Sequence, residues 1–120
     1  MDPFAKLLAS HRSLTEDTWS LLADRGVCES TPLVLDYRFE APHRKNAEGL
    51  TGALVELSEE VSLVRCGTFF RPMYTITGAM PPRSFDQEGL VGWVEMMCLL
   101  GRQFEAYFDG FGTAVPESLL

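Results

Sequence analysis

The side chains with which this sequence could do chemistry are two histidines, three cysteines and a scatter of carboxylates. A catalytic or metal-binding histidine needs a partner at a spacing that the fold can close. His11 lies on the apolar stripe of a helical pattern, and His43 lies in a loop beside Arg44 and Lys45, so neither has such a partner in sequence. Cys28, Cys66 and Cys98 are far apart and odd in number, without redox or metal-ligand spacing. They read as buried, reduced thiols. Glu59 and Glu60 are adjacent, so in an extended chain they point to opposite faces and cannot share a proton. G-x-S-x-G, H-E-x-x-H, Walker and G-x-G-x-x-G patterns are absent from the sequence. Asp109-Gly110-Phe111-Gly112 shares letters with the kinase D-F-G motif, in a chain too short to hold the rest of a kinase. The residues therefore predict no catalytic site, no metal and no cofactor, and the chain reads as something other than an enzyme.

The stretch with the most local information is Gln103–Thr113. Phe104, Ala106 and Phe108 alternate with Glu105, Tyr107 and Asp109, the period of a half-buried strand. Asp109-Gly110 then predicts a turn, because Asp bonds its own backbone and Gly accepts a positive φ. Phe111 is held between Gly110 and Gly112 and is followed by Thr113. An aromatic so placed is either a plug for the sheet end or a presented contact.

These residues need a scaffold, and the chain is long enough for one. Its 120 residues predict one domain able to bury roughly two-thirds of the unfolded surface. At 46% hydrophobic and 11% aromatic it is globular in composition. The formal charge of −7 repels polyanions and favours a basic partner surface, or serves solubility alone. Asp2 and Lys6 interrupt any leader-like apolar run, and the most apolar stretch, Leu90–Leu100, contains Glu95 and is short of a membrane span. These features predict a cytoplasmic protein with no membrane association.

Asp2-Pro3 predicts a helix start, followed by a stripe of Phe4, Leu7, Leu8, His11, Leu14, Thr18, Leu21 and Leu22. Ser13-x-x-Glu16 could break and restart that helix, and Gly26 ends it. Leu33, Leu35, Tyr37 and Phe39 alternate with Val34, Asp36, Arg38 and Glu40, the clearest strand in the chain. Asn46 is a cap for a second helix with Ala47, Leu50, Ala53, Leu54 and Leu57 inward. Val61–Cys66 and Met73–Gly78 read as two strands, with Phe69-Phe70 tucked under the loop between them. Ser84 or Asp86 caps a third helix whose inner stripe runs from Leu90 to the C-cap Gly101. The order is a helical extension over residues 1–26, then β-α-β-β-α-β over 31–115: an α+β, ferredoxin-like sandwich with an antiparallel sheet and two helices on one face.

RNA-recognition modules share that order and stack bases on aromatics of the open sheet face. Here the open face carries Val34, Asp36, Arg38, Glu40, Thr75, Thr77, Glu105 and Tyr107, which is polar, acidic and has one aromatic. Direct nucleic-acid binding is not expected. The residues placed to meet a protein partner are Asp36, Glu40, Glu105, Tyr107 and Asp109, with Gly110, Phe111, Gly112 and Thr113 as the structural turn.

Gln103-Phe104 and Phe108-Asp109-Gly110-Phe111-Gly112-Thr113 resemble the last strand of the regulator of ribonuclease E activity B (RraB) family, which closes a ferredoxin-like domain with a similar D-G-aromatic-G-T run. The likeness extends loosely over Leu33–Thr113. It implies a bacterial, cytoplasmic regulator of RNA metabolism that binds the endoribonuclease and inhibits it without catalysis. The best-known members end in a strongly acidic tail, which Glu117-Ser118-Leu119-Leu120 does not reproduce. The alternative from another class is a small-ligand sensor of the ACT kind, with the same strand order and a ligand pocket at an interface between copies. Assembly into a homo-oligomer stays open under both readings.

Overall fold

The computed structural model describes residues 2–114; the tail that begins at Val115 lies outside the described residues. Three helices and six strands follow in the order α1 (Pro3–Asp24), β1 (Pro32–Leu33), β2 (Leu35–Ala41), α2 (Arg44–Val55), β3 (Glu60–Gly67), β4 (Pro72–Ala79), β5 (Arg83–Ser84), α3 (Gln87–Gln103) and β6 (Tyr107–Thr113). The fold is α+β, with two antiparallel sheets. The larger has the strand order β3-β4-β2-β6, and β1 pairs with β5 in a two-stranded ribbon.

Strand β2 is central because its alternation is strict. Leu35, Tyr37 and Phe39 are at most 2% exposed, while Asp36 and Arg38 face solvent. Leu33, equally buried, belongs to β1, because the run expected as one strand breaks at Val34 and Leu33 pairs with Arg83 of β5. The inward side chains of β2 meet Ile76 and Phe108 from the flanking strands and Leu50, Leu54, Trp93, Val94 and Met97 from the helices. Slipping β2 by one residue would bury Asp36 and Arg38 instead. Glycine at 78 belongs to the same core: it pairs with Tyr37, and a Cβ there would overlap the Tyr37 ring and the Glu60 backbone.

Helix α1 is one unbroken element of 22 residues, so Ser13-x-x-Glu16 does not restart it. The Asp2 side chain accepts a hydrogen bond from the Ala5 amide at 2.9 Å, and Pro3 occupies the first helical position. At the other end the Val27 amide bonds the Leu22 carbonyl and the Gly26 amide bonds that of Ala23, a Schellman closure with Leu22 and Val27 both buried. The stripe read from apolar residues is mis-phased. Leu14 and Leu21 are 63% and 65% exposed, and the buried line is Phe4, Leu8, His11, Thr15, Trp19 and Leu22. Thr15 can be buried because its hydroxyl donates to the His11 carbonyl at 2.6 Å.

Helix α2 starts two residues before Asn46, with His43 at the N-cap, so Asn46 is not a cap. Helix α3 is capped by Asp86, which accepts from the Gly89 amide at 2.6 Å, and runs two residues past Gly101.

The last strand departs most from the sequence reading. Phe104 is the C-cap of α3, and Glu105 has a φ of 52°, so the alternation of Phe104–Phe108 is not a strand. Strand β6 begins at Tyr107 and continues through Asp109-Gly110 to Thr113, so Gly110–Thr113 is strand and not a turn. The Asp-Gly pair makes a β-bulge instead. Phe39 pairs with Phe108 and Arg38 with Gly110, which leaves Asp109 as the extra residue. Gly110 supplies the positive φ of 130°. The bulge changes which residues share a face. Phe108 and Phe111, three apart, both turn inward and meet Trp93 nearly perpendicularly, at 6.2 and 5.6 Å between ring centroids.

Candidate partner-binding face

The helices cover one face of the larger sheet, and the other is open. Register fixes what the open face presents. Asp36, Arg38 and Glu40 of β2 pair with Ala79, Thr77 and Thr75 of β4, which in turn pair with Glu60, Ser62 and Val64 of β3. On the other side Gly112, Gly110 and Tyr107 of β6 complete the rows. Val34 is also exposed, in the link that precedes β2.

Arg38 is the hub of this face. Its Nη2 lies 3.1 Å from Glu40 Oε1 and its Nε lies 3.5 Å from Asp109 Oδ2. The bulge brings Asp109 there. Both pairs are solvent-exposed, so each stabilises by at most about 1 kcal/mol, and their effect is to set a charge pattern. Asp36 and Glu60 flank Ala79 from opposite sides. Two strand spacings put their backbones roughly 10 Å apart, too far to share a proton and close enough to sum their fields. They line a depression of about 420 Å3 with Tyr37, Val61, Ser62, Thr77 and Gly78. The Tyr37 hydroxyl shares a 2.7 Å hydrogen bond with Ser58, and burial raises its pKa.

Four of the five partner-facing residues predicted from sequence are therefore on or beside this face: Asp36, Glu40, Asp109 and Tyr107, the last 49% exposed. Glu105 is not. It sits in the link from α3 to β6 and accepts a 3.0 Å hydrogen bond from Asn46 Nδ2, which ties that link to α2. Glu60 replaces it, and the sequence reading missed it by starting the strand at Val61. Thr113 is structural: its hydroxyl donates to the Val34 carbonyl at 2.9 Å.

The potentially reactive groups are spread out. Among the described residues no three His, Cys, Asp or Glu converge as a metal site would require. The cysteines are free, but only Cys98 is buried; Cys28 and Cys66 are exposed, contrary to the sequence reading. Cys28 follows the α1 closure in a loop, and Cys66 stands where the β3–β4 hairpin has left the helices behind. Hydrogen bonding with the Ser30 side chain, then with Thr31, lowers the Cys28 thiol to about 7. Burial pushes Cys98 up to about 11, and Glu95 adds to the rise. His43 is exposed at the start of α2.

His11 is buried between α1 and β6, its ring 5.4 Å from that of Phe108. Burial lowers its pKa from 6.5, and the backbone of Phe108 and the charge of Asp109 oppose that shift. A depressed folded-state value means that the unfolded chain takes up the proton more readily. The stabilisation is complete above pH 6.5 and is lost as the pH falls from there through the lower folded value. Chemical denaturation in steps below neutrality is expected to show this loss, and His11→Gln is expected to flatten it. A His11→Gln profile parallel to wild type between pH 7 and about 5 would assign the slope elsewhere.

Two residues that the sequence reading tucked away are the most exposed large apolar side chains among the described residues. Phe69 and Phe70, at the β3–β4 turn, are 83% and 89% exposed. No helix among the described residues is long and apolar enough to cross a membrane. Compared with known families and with curated proteins, the chain matches no family model and shows no significant match to a curated protein.

Proposed function

We propose that the chain is a non-catalytic regulator that acts by laying its open sheet face on a basic surface of a protein partner. The observation that carries the reading is the charge of that face: among the described residues Asp36, Glu40, Glu60 and Asp109 stand around one cation, Arg38. Such a face raises the association rate and selects the partner more than it raises affinity. It is a poor surface for nucleic acid, which needs the opposite sign of charge and more than one stacking aromatic.

The strand order β3-β4-β2-β6, with α2 linking β2 to β3 and α3 linking β4 to β6, supports a ferredoxin-like assignment. With the resemblance of Phe108–Thr113 to the RraB family, it makes ribonuclease E of the same bacterial cytoplasm the first partner to try. The ligand-sensor reading has less support. The two mainly apolar pockets, about 300 Å3 beside Leu21, Leu22, Arg25 and Phe111 and about 240 Å3 beside Leu57, Met80, Pro81 and Trp93, reach at most the lower end of the roughly 300–1,000 Å3 of typical ligand sites.

The test is inhibition of purified ribonuclease E over a salt series. Inhibition is expected at low salt and to weaken as the screening length falls to about 10 Å near 0.1 M. Asp36→Lys with Glu60→Lys is expected to slow association and leave thermal unfolding unchanged. Absence of binding at low salt, or a reversed-charge variant that associates like wild type, overturns the reading.

A further inference from the structure

The β3–β4 hairpin leaves the body of the protein. Strand β2 accompanies β4 only as far as the Ala41–Tyr74 pair, and beyond it Cys66–Met73 and Gly67–Pro72 pair with nothing else in the sheet. The tip beyond them is a defined turn: the Thr68 amide bonds the Arg71 carbonyl at 3.1 Å, and the Arg71 amide bonds the Thr68 hydroxyl at 3.0 Å. Gly67 enters it with a φ of 81°. Phe69 and Phe70 form the apex, edge to face, with their ring centroids 5.3 Å apart. Two aromatics at the end of a projecting hairpin gain nothing for folding, since burial is what stabilises such side chains.

The charge around the tip is opposite to that of the protein. The chain carries 17 acidic and 10 basic residues, yet residues 61–85 hold Arg65, Arg71 and Arg83 and no acid. At the root of the hairpin, Arg44 and Glu48 share a shallow depression with Arg65 and Tyr74; Glu48 pairs with Arg44 at 2.8 Å, which leaves Arg65, and the exposed Lys45 that follows on α2, as the cations there. The apex stands four residues beyond the Arg65–Tyr74 pair on each strand, roughly 13 Å at 3.3 Å per residue. That exceeds the screening length of about 8 Å at physiological salt, so the acidic body does not reach it.

Area decides between a protein pocket and a lipid surface. The two rings could bury about 300–500 Å2, whereas a stable protein interface takes about 800 Å2 from each side. A bilayer sets no such minimum and requires no matching cavity. Aromatic rings at the apex with guanidinium groups behind them match the order of acyl boundary and phosphate layer.

We propose that the Phe69–Phe70 tip inserts into an anionic lipid surface, with Arg65 and Arg71 meeting the headgroup phosphates. The inference is independent of the proposed regulator function and uses a different surface. The experiment is co-sedimentation with vesicles of phosphatidylcholine alone and of phosphatidylcholine mixed with phosphatidylglycerol. Wild type is expected to bind the mixed vesicles and to release them as salt rises. Phe69→Ser with Phe70→Ser is expected to reduce partitioning by about tenfold or more, with unfolding temperature unchanged, and Arg71→Glu to reduce it on mixed vesicles. In Phe69→Trp, emission that shifts to the blue on mixed vesicles reports insertion. Wild type that ignores mixed vesicles at low salt, a double serine variant that binds like wild type, or Phe69→Trp emission unchanged by vesicles overturns the proposal. So does a double serine variant that loses only self-association or only binding to ribonuclease E, which would make the tip a protein contact.

Discussion

Phe108→Ala is expected to lower the folding free energy by about 3–5 kcal/mol, the range for truncating a large aromatic in a core that cannot collapse around the space. The side chain is 1% exposed and stands where α1, β2 and α3 converge on β6. Its ring lies 5.4 Å from His11 on α1, 5.1 Å from Phe39 on β2 and 6.2 Å from Trp93 on α3. No single element can move in to fill the hole without leaving the other two. Urea unfolding at neutral pH measures the effect. Phe111→Ala is the internal comparison: its side chain is only partly buried, so its cost is expected to be clearly smaller. A loss below about 1.5 kcal/mol for Phe108→Ala would show that the site relaxes and that these rings are not a joint.

Deleting residues 1–25 is expected to do more than shorten the protein. Helix α1 packs along α3, and it supplies His11, Thr15 and Leu22 to the buried interior. The two helices are cross-linked at the surface: the Arg12 guanidinium lies 3.3 Å from Glu88, and that of Arg102 lies 4.3 Å from the centre of the Phe4 ring. Without α1, the outer side of α3 and the Phe108 and Phe111 end of β6 face water as one apolar strip. Apolar patches of that extent on soluble proteins mark contact surfaces or aggregate. The truncated chain is therefore expected to aggregate or form oligomers in light scattering, with an unfolding midpoint lower than that of the intact protein. A monomeric truncation that unfolds at the intact protein's temperature would mean that α1 is an appendage.

Alternation on β2 was legible because one face is wholly buried and the other charged, so the pattern had no second solution. The caps Asp2 and Asp86 and the Gly26 closure were legible for the same reason: each satisfies backbone groups that nothing else nearby could. The α1 stripe was misread because Leu14 and Leu21 look like core and Thr15 does not. Only the hydrogen bond from Thr15 to the His11 carbonyl makes the hydroxyl neutral toward burial, and that bond needs the helix already formed. The bulge at Asp109 was half legible. Asp-Gly announces a positive φ, but whether the chain then turns back or shifts its register depends on β2 lying alongside. Glu60 was missed because a strand's first residue is set by its partner, here Ala79, and not by its own side chain. Phe69 and Phe70 were assigned to the interior because aromatics usually are; no local pattern says that a hairpin outruns its sheet.

That overhang separates two demands that most positions must meet together. Residues of the core answer first to folding, and any change in what they recognise is limited by what stability tolerates. At the apex between Thr68 and Arg71 the fold asks only that the turn close, and the Thr68 hydroxyl and the backbone see to that. Side chains at 69 and 70 are thus nearly free variables, since exposed substitutions of this kind change stability by about 0.5 kcal/mol or less. The hairpin is in effect an interchangeable head on a fixed handle. A short peptide grafted between Phe69 and Phe70 would be displayed away from the body, and the sheet and helices would have little means of registering the exchange.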